Sequence, residues 1–434
     1  MKFYNREKEL ALLAEVEERA RQTAQMTFVV GRRRIGKTRL LTTAYPDALY
    51  FFIAKKREAL LCQEFTEEIK RKLQVPIFGQ LTTFKAVFEL LMELSKARSF
   101  TLIIDEFQEF NTVNPSVYSE MQDVWDRNMA GSKINLILCG SIYNMMNRIF
   151  TNAKEPLFGR ATQRMTIEAF NVTTIKKITS DLFPMYTADD LLAFYSITGG
   201  VAKYVELLAQ KEAFTLPKIL NAIFSPYSLF LEEGRNVLIE EFGKDYGNYF
   251  SILSLIASGK TSRVEMESIM EMQIGGFLDR LENDFSIIKK IRPVLAKPNS
   301  RAVKYEIEDN FLRFWFRFIY KNRSAVEAGN LKYLKTLVRR DFNTFSGKAL
   351  ERYFLDKLKQ SQQYNIIGTY WNRKSSVEID IVAINEMEKQ ILFAEVKRQP
   401  HKINLEKLKE ASAPILKQRP EYTAAYKGYS LDDM

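Results

Sequence analysis

Lys37 and Thr38 close the octapeptide GRRRIGKT (31–38), which sets two glycines, a lysine and a hydroxyl at the spacing Gly-x4-Gly-Lys-Thr. Gly31 and Gly36 let backbone N–H groups wrap phosphate oxygens, the Lys37 ammonium neutralises the β and γ oxygens, and the Thr38 hydroxyl offers itself to Mg²⁺. Strand-like MTFVV (26–30) precedes the loop and TRLLTTAY follows with helical character, the context a nucleotide site requires. Arg32, Arg33 and Arg34 have three open readings: solvent, added phosphate charge, or contact with a partner; of these Arg34 is taken as a candidate nucleotide-binding residue.

A second element turns binding into hydrolysis. TLIIDEF (101–107) is an apolar strand ending in adjacent carboxylates, similar to a Walker B motif. Asp105 is expected to hold Mg²⁺ through water, and Glu106 to orient and polarise the attacking water, because phosphoryl transfer rests on positioning and charge neutralisation. ATP and Mg²⁺ are the expected cofactors.

Near the C-terminus stands a separate constellation. In VEIDIVAI (377–384) and ILFAEVK (391–397), strand alternation puts Glu378 and Asp380 on one face, and Glu395 and Lys397 on one face. An antiparallel hairpin centred on Met387 and Glu388 sets Asp380 opposite Glu395 and Glu378 opposite Lys397. Two carboxylates and a lysine suit phosphodiester hydrolysis: the acids bind Mg²⁺ or Mn²⁺ and the lysine orients water or stabilises developing charge. The alternative is a hairpin whose acids and lysine form cross-strand ion pairs on a wet face.

Elements must hold these groups. Apolar runs at 26–30, 49–54, 100–105, 134–140 and 163–167, separated by amphipathic segments, predict a parallel α/β sheet. From about 170 to 225 the pattern is helical, and residues 248–310 predict three short helices and a hairpin. FLRFWFRFIY (311–320) predicts a packed amphipathic helix, and GKALERYFLDKL (347–358) a helix leading into strand YNIIGTYW (364–371).

FYNREKEL, GRRRIGKT, LIIDEF, LCGS (138–141), LFGR (157–160) and TGGVAKY (198–204) follow the order seen in AAA+/STAND ATPases, and the chain most resembles the prokaryotic archaeal-type ATPases. That resemblance implies a P-loop AAA+-like core at 1–168 and a helical lid at 169–228. It implies a sensor role for Ser141 at the γ-phosphate or water, against the alternative of a helix cap, and an arginine-finger role for Arg160, against a surface ion pair. A sensor 2 arginine is missing, with Lys203 as a substitute, and Ala202 stands where the family often has proline. Residues 229–325 resemble a winged helix with its connecting helix, though the third helix offers Asp279, Glu282 and Asp284 beside Arg280. Its hairpin carries Lys289, Lys290, Arg292, Lys297, Arg301 and Lys304, which suit phosphate contacts without sequence preference. Residues 326–434, with Asp-x14-Glu-x-Lys, resemble a PD-(D/E)XK restriction-endonuclease-like domain, Glu351 being an additional metal ligand; no proline precedes Asp380, where Ile379 stands.

Composition sets the outer limits. The 434 residues suggest roughly three domains, and 46% hydrophobic content is that of a chain with real cores. Two cysteines, Cys62 and Cys139, argue against a disulfide framework or a zinc site, and His401 alone excludes His-rich metal centres. A net charge of +11 favours an anionic partner, DNA first. No signal region opens the chain and no run spans a bilayer, so a cytoplasmic location without membrane contact is expected. Two functions follow: a DNA-associated ATPase whose nucleotide state controls a nuclease-like domain, or a STAND-like switch that oligomerises on ATP and binds a protein.

Overall fold

The structure, a computed structural model, describes residues 3–242, 246–297, 300, 302–372 and 377–434. Two compact units divide the chain, Lys2–Glu168 and Ala169–Met434.

Among the described residues, the first unit is built on a five-stranded sheet in the order β2-β3-β4-β1-β5. The strands are β1 (Gln25–Val30), β2 (Leu49–Phe52), β3 (Phe100–Asp105), β4 (Ile134–Gly140) and β5 (Gln163–Thr166), all parallel. They occupy the five apolar runs singled out above. Sequence accounts for their places: β1 and β4 are apolar almost throughout and buried at every position, as central strands covered on both faces must be. β2 and β5 bury only some of their side chains, and they are the edges. Helices cover the faces, among them Phe84–Ala97, capped by the Thr83 hydroxyl accepting from the Ala86 N–H. It buries Phe84, Val87, Phe88, Leu91 and Met92, an apolar stripe at helical spacing.

In β1–β4 pairing Val30 faces Gly140, and in β3–β4 pairing Ile104 faces Leu138. The carboxyl ends of β1, β4 and β3 therefore finish side by side. Gly31, Ser141 and Glu106 each follow one of those ends directly, the edge where open α/β sheets bind ligands.

The second unit begins with helices Val172–Leu182, Ala188–Thr198, Ala202–Gln210 and Leu216–Ile223. Thr187 and Asp190 form a reciprocal cap at the start of the second helix, and Gly199, at φ 56°, ends it. Helices Tyr246–Ala257, Arg263–Met270 and Gly275–Asp279, the last continued through Asp284, lead to a hairpin of β6 (Ile288–Ile291) and β7 (Lys304–Ile307). The aromatic run is a packed helix, buried nearly all round rather than amphipathic as expected: Phe311, Phe314, Trp315 and Phe316 are buried, and of residues 311–320 Arg317 and Tyr320 alone are partly exposed. Arg313 is buried within it, over the Phe345 ring and donating to the Phe345 carbonyl.

A long helix, Leu331–Ser361, precedes a sheet ordered β11-β10-β9-β8, comprising β8 (Ile366–Trp371), β9 (Glu378–Asn385), β10 (Gln390–Val396) and β11 (Thr423–Tyr429). β8, β9 and β10 are antiparallel neighbours, whereas β11 joins β10 in parallel through the crossover helix Leu405–Lys417. Val294, following β6, packs into this sheet's core with Val382 and Phe393, and its N–H donates to the Thr369 carbonyl.

Candidate functional site

The phosphate loop has the backbone its glycines permit. Gly36 sits at φ 93° just before helix Lys37–Ala44, and Arg34 takes φ 70°. A Cβ on Gly31 would lie 2.6 Å from the Ile167 carbonyl oxygen, so that position has no room for a side chain. Lys37 is 8% exposed and its ammonium donates to the carbonyls of Gly31 (2.7 Å) and Arg32 (3.1 Å), folded back over its own loop. Burial pushes the Lys37 ammonium below its ordinary pKa, and Glu106 and Asp105 oppose the shift. Phosphate oxygens arriving there would replace carbonyl partners with anionic ones.

β3 delivers the acids. Asp105 Oδ2 accepts from the Thr38 hydroxyl (2.9 Å) and from the Tyr50 hydroxyl (2.5 Å), while its Oδ1 accepts from the Glu106 N–H (2.9 Å). A hydroxyl and a carboxylate in direct contact are a fitting pair of oxygen donors for Mg²⁺, with the remaining places left to phosphate and water. Thr38 and Asp105 would hold the ion, which would supply charge neutralisation at the phosphates.

Glu106 follows in a left-handed conformation, φ 54°. Its Oε2 accepts from the Ser141 hydroxyl (2.7 Å) and from the Gln108 side-chain amide (2.5 Å). Ser141 thus touches the carboxylate expected to activate water. Three contributors were not found from sequence: Tyr50, Gln108 and Cys139. Tyr50 sits on the edge strand, where an aromatic reads as packing; Gln108 has no motif; Cys139 reads as one more apolar residue of β4. Burial first, then Asp105, raises the Cys139 thiol well above its ordinary pKa, so it stays protonated.

Arg160 is paired within its own unit. Its guanidinium reaches Asp126 through Nε (3.3 Å) and a terminal nitrogen (2.9 Å), and donates to the Phe158 carbonyl (2.8 Å). Lys203 lies 3.5 Å from Glu206 on its own helix.

In the second unit, pairing runs from Gln390 opposite Asn385 to Ala394 opposite Ile381, the register expected from a turn centred on Met387 and Glu388. Asp380 Oδ2 accepts from the Val396 N–H (2.8 Å) and the Lys397 ammonium (3.1 Å), and Lys397 also lies 3.3 Å from Glu395. Burial pushes the Lys397 ammonium down, but Asp380 and Glu395 outweigh it and hold the pKa above its ordinary value. Glu378 turns instead to Lys304 at 3.0 Å. Glu351 is bound by Lys348 at 2.8 Å, and its pKa is raised by burial and by Asp380's charge.

The expected cation site at Glu351, Asp380 and Glu395 is not formed as arranged. Among the described residues no group of three or more His, Cys, Asp or Glu side chains is placed to hold a metal ion. Two ammonium groups, Lys397 and Lys348, take up the charge a cation would need, and the Asn404 N–H occupies Glu395 Oε2 at 2.6 Å. The residues do not fit Mg²⁺ or Mn²⁺ in this geometry, and the cross-strand ion-pair alternative describes them better.

The basic hairpin also needs correcting. Lys304 is spent on Glu378 and lies over the Trp371 ring at 4.6 Å, and burial pushes the Lys289 ammonium down. Lys290, Arg292 and Lys297 are left at partly or fully exposed positions, while Arg301 lies outside the described residues. On the third helix, Arg280 reaches the Tyr249 hydroxyl at 3.5 Å.

Residues 3–208 match a family described as an ATPase domain predominantly from Archaea, and residues 315–410 match one described as archaeal and bacterial proteins of unknown function. An uncharacterised protein of Methanocaldococcus jannaschii is 27% identical over 405 residues, 91% of this chain and 87% of the relative. Among solved structures, the fold is similar to a Walker-type ATPase of Pyrococcus abyssi (17% identity, TM-score 0.55, covering 72% of this chain and 96% of that one). A looser likeness is to the Aeropyrum pernix ORC2 protein (14% identity, TM-score 0.46, covering 74% and 94%). No helix among the described residues is long and apolar enough to cross a membrane. Residues 3–208 thus form a domain of the archaeal-type ATPase family, and residues 315–410 belong to a C-terminal domain family without known function.

Proposed function

We propose that the chain hydrolyses ATP with Mg²⁺ and that its nucleotide state governs a DNA-associated C-terminal domain. One observation carries the hydrolytic part: Lys37, Thr38, Asp105, Glu106 and Ser141, from three separate segments, meet at the carboxyl edge of one parallel sheet with Thr38 on Asp105 and Ser141 on Glu106. Gly31, Gly36 and Lys37 bind phosphates; Arg34 adds charge; Thr38 and Asp105 hold Mg²⁺; Glu106 orients water. Arg160, released from Asp126, is proposed to reach a neighbouring copy's nucleotide in a homo-oligomer. The reading predicts that Lys37→Ala loses nucleotide binding in a direct titration with a fluorescent ATP analogue, and unchanged affinity in folded protein would sink it.

DNA association is supported by the net charge of +11 and by three helices and a hairpin of winged-helix kind that keep Lys290, Arg292 and Lys297 for phosphates. The second reading, a nuclease-like C-terminal domain, requires Lys397 and Lys348 to give up their ion pairs with Asp380, Glu395 and Glu351 so that a cation can enter. Supercoiled plasmid with Mg²⁺ or Mn²⁺ tests it: nicking by wild type and not by Asp380→Ala or Lys397→Ala supports cleavage. Equal nicking by all three would point to contamination and leave a binding domain. The STAND-like alternative, ATP-driven oligomerisation with a protein partner, is favoured instead by a flat response of the ATPase to DNA.

A further inference from the structure

We propose that Gln108 is a positioning residue for the water-activating carboxylate, acting through Glu106 and fixing which of its oxygens faces the water; the proposal rests on the hydrolytic reading above. The side-chain amide of Gln108 donates to Glu106 Oε2 at 2.5 Å, and the Ser141 hydroxyl donates to the same oxygen at 2.7 Å. With both donors on Oε2, Oε1 is the oxygen left to accept a proton from water. A carboxylate tethered this way loses the rotation about its terminal bond that would otherwise spread it over many poses, and positioning is what this chemistry needs.

Gln108 holds its pose at a cost. It is 1% exposed, and its amide oxygen meets no hydrogen-bond donor among the described residues. A buried unpaired carbonyl is unfavourable, and turning the amide over would set oxygen against the Glu106 carboxylate. The side chain therefore accepts an orphaned oxygen in order to present its N–H groups to Glu106. Two neighbours enforce the pose. Gln108 belongs to the tight turn Phe107–Glu109 that begins directly at the left-handed Glu106, so residue and partner are fixed by one short piece of backbone. Across the sheet edge, a Cβ on Gly140 would lie 2.4 Å from the Gln108 amide oxygen, so the absence of a side chain at 140 makes the space that oxygen occupies. Because Ser141 follows Gly140, the two donors to Oε2 are set by adjoining residues of β3 and β4 ends.

The test uses the full chain with ATP and Mg²⁺ and two substitutions. Gln108→Leu keeps the volume and removes the donor; kcat is expected to fall on the order of tenfold, a part of the roughly 10²–10⁴-fold that a positioned general base contributes, with KM and the affinity for a non-hydrolysable ATP analogue unchanged. Gln108→Met, unbranched like glutamine, also removes the donor, and kcat is expected to fall again while the affinity for the non-hydrolysable analogue holds. A merely structural role would lower thermal stability and nucleotide affinity along with kcat. Glu106→Gln is the control. If it is inactive while Gln108→Leu turns over like wild type, the Gln108 proposal alone falls; if Glu106→Gln itself keeps full turnover, both fall. Should Gln108→Leu not fold, an unchanged kcat in Gln108→Met overturns the proposal.

Discussion

Two hydroxyls, those of Thr38 and Tyr50, converge on one oxygen of Asp105, and two donors, Ser141 and Gln108, on one oxygen of Glu106. Lys37, Thr38, Asp105 and Glu106 were legible because phosphate chemistry demands those types at that spacing on strand ends, and the folded chain brings Thr38 onto Asp105. Tyr50 and Gln108 were not legible: Tyr50 works through a contact that depends on strand order, and Gln108 through a turn that the left-handed Glu106 sets and no motif marks. Tyr50→Phe is expected to weaken Mg²⁺-dependent turnover by several-fold, because Asp105 Oδ2 loses one of the two donors that fix its direction. The check is the Mg²⁺ concentration at half-maximal rate, which should rise; an unmoved midpoint would show that Thr38 alone suffices.

Among the elements, the long helix Leu331–Ser361 does the most joining. Arg352, 8% exposed, donates to Glu306 Oε2 (2.9 Å), the Ile307 carbonyl (2.7 Å) and the Asn310 side chain (3.0 Å), tying β7 and the aromatic helix to one cation. Asn310 in turn donates to the Tyr195 carbonyl at 3.2 Å, and the Tyr195 hydroxyl to Asp356 at 3.1 Å, so helices near residue 200 share the same bracing. Arg352→Ala is expected to destabilise this unit by about 1–3 kcal/mol, since the Ile307 carbonyl and the Asn310 side chain lose their donor while Glu306 keeps Lys348 at 3.3 Å; urea unfolding would read it.

Acid should do part of the same. Burial raises the Glu306 carboxyl, but Arg352 and Lys348 outweigh it and hold its pKa at about 2. A carboxylate depressed in the folded state contributes stability that is present above its ordinary pKa near 4.5 and lost as pH falls toward about 2. Glu306→Gln should flatten that slope in pH-dependent melting, and an unchanged slope would assign it elsewhere. The hairpin's strands were legible from sequence, whereas its docking was not: Lys304 looked like a free phosphate contact because Glu378 lies 74 residues away.

At the scale of the whole chain, the parallel sheet and its edge site were readable because buried strands and strand-end motifs are local signals. The register of β9 against β10 was readable too, since a turn centred between Asn385 and Gln390 determines which residues face each other. Charge state was the unreadable part. Asp380, Glu395 and Glu351 looked like cation ligands by type, and tertiary placement of Lys397 and Lys348 made them ion pairs. The basic balance of +11 makes a second expectation: DNA should stimulate ATP turnover, with an effect that weakens steeply as salt rises. A flat titration over single- and double-stranded DNA would transfer the role to a protein partner.

The account's central claim is that Glu106 activates water at a Mg²⁺-bound nucleotide. Single-turnover hydrolysis of ATP by wild type and Glu106→Gln, both saturated with nucleotide, tests it most directly. The expected result is tight binding by both proteins with the hydrolysis rate of Glu106→Gln reduced by at least about a hundredfold. Equal rates in the two would contradict it.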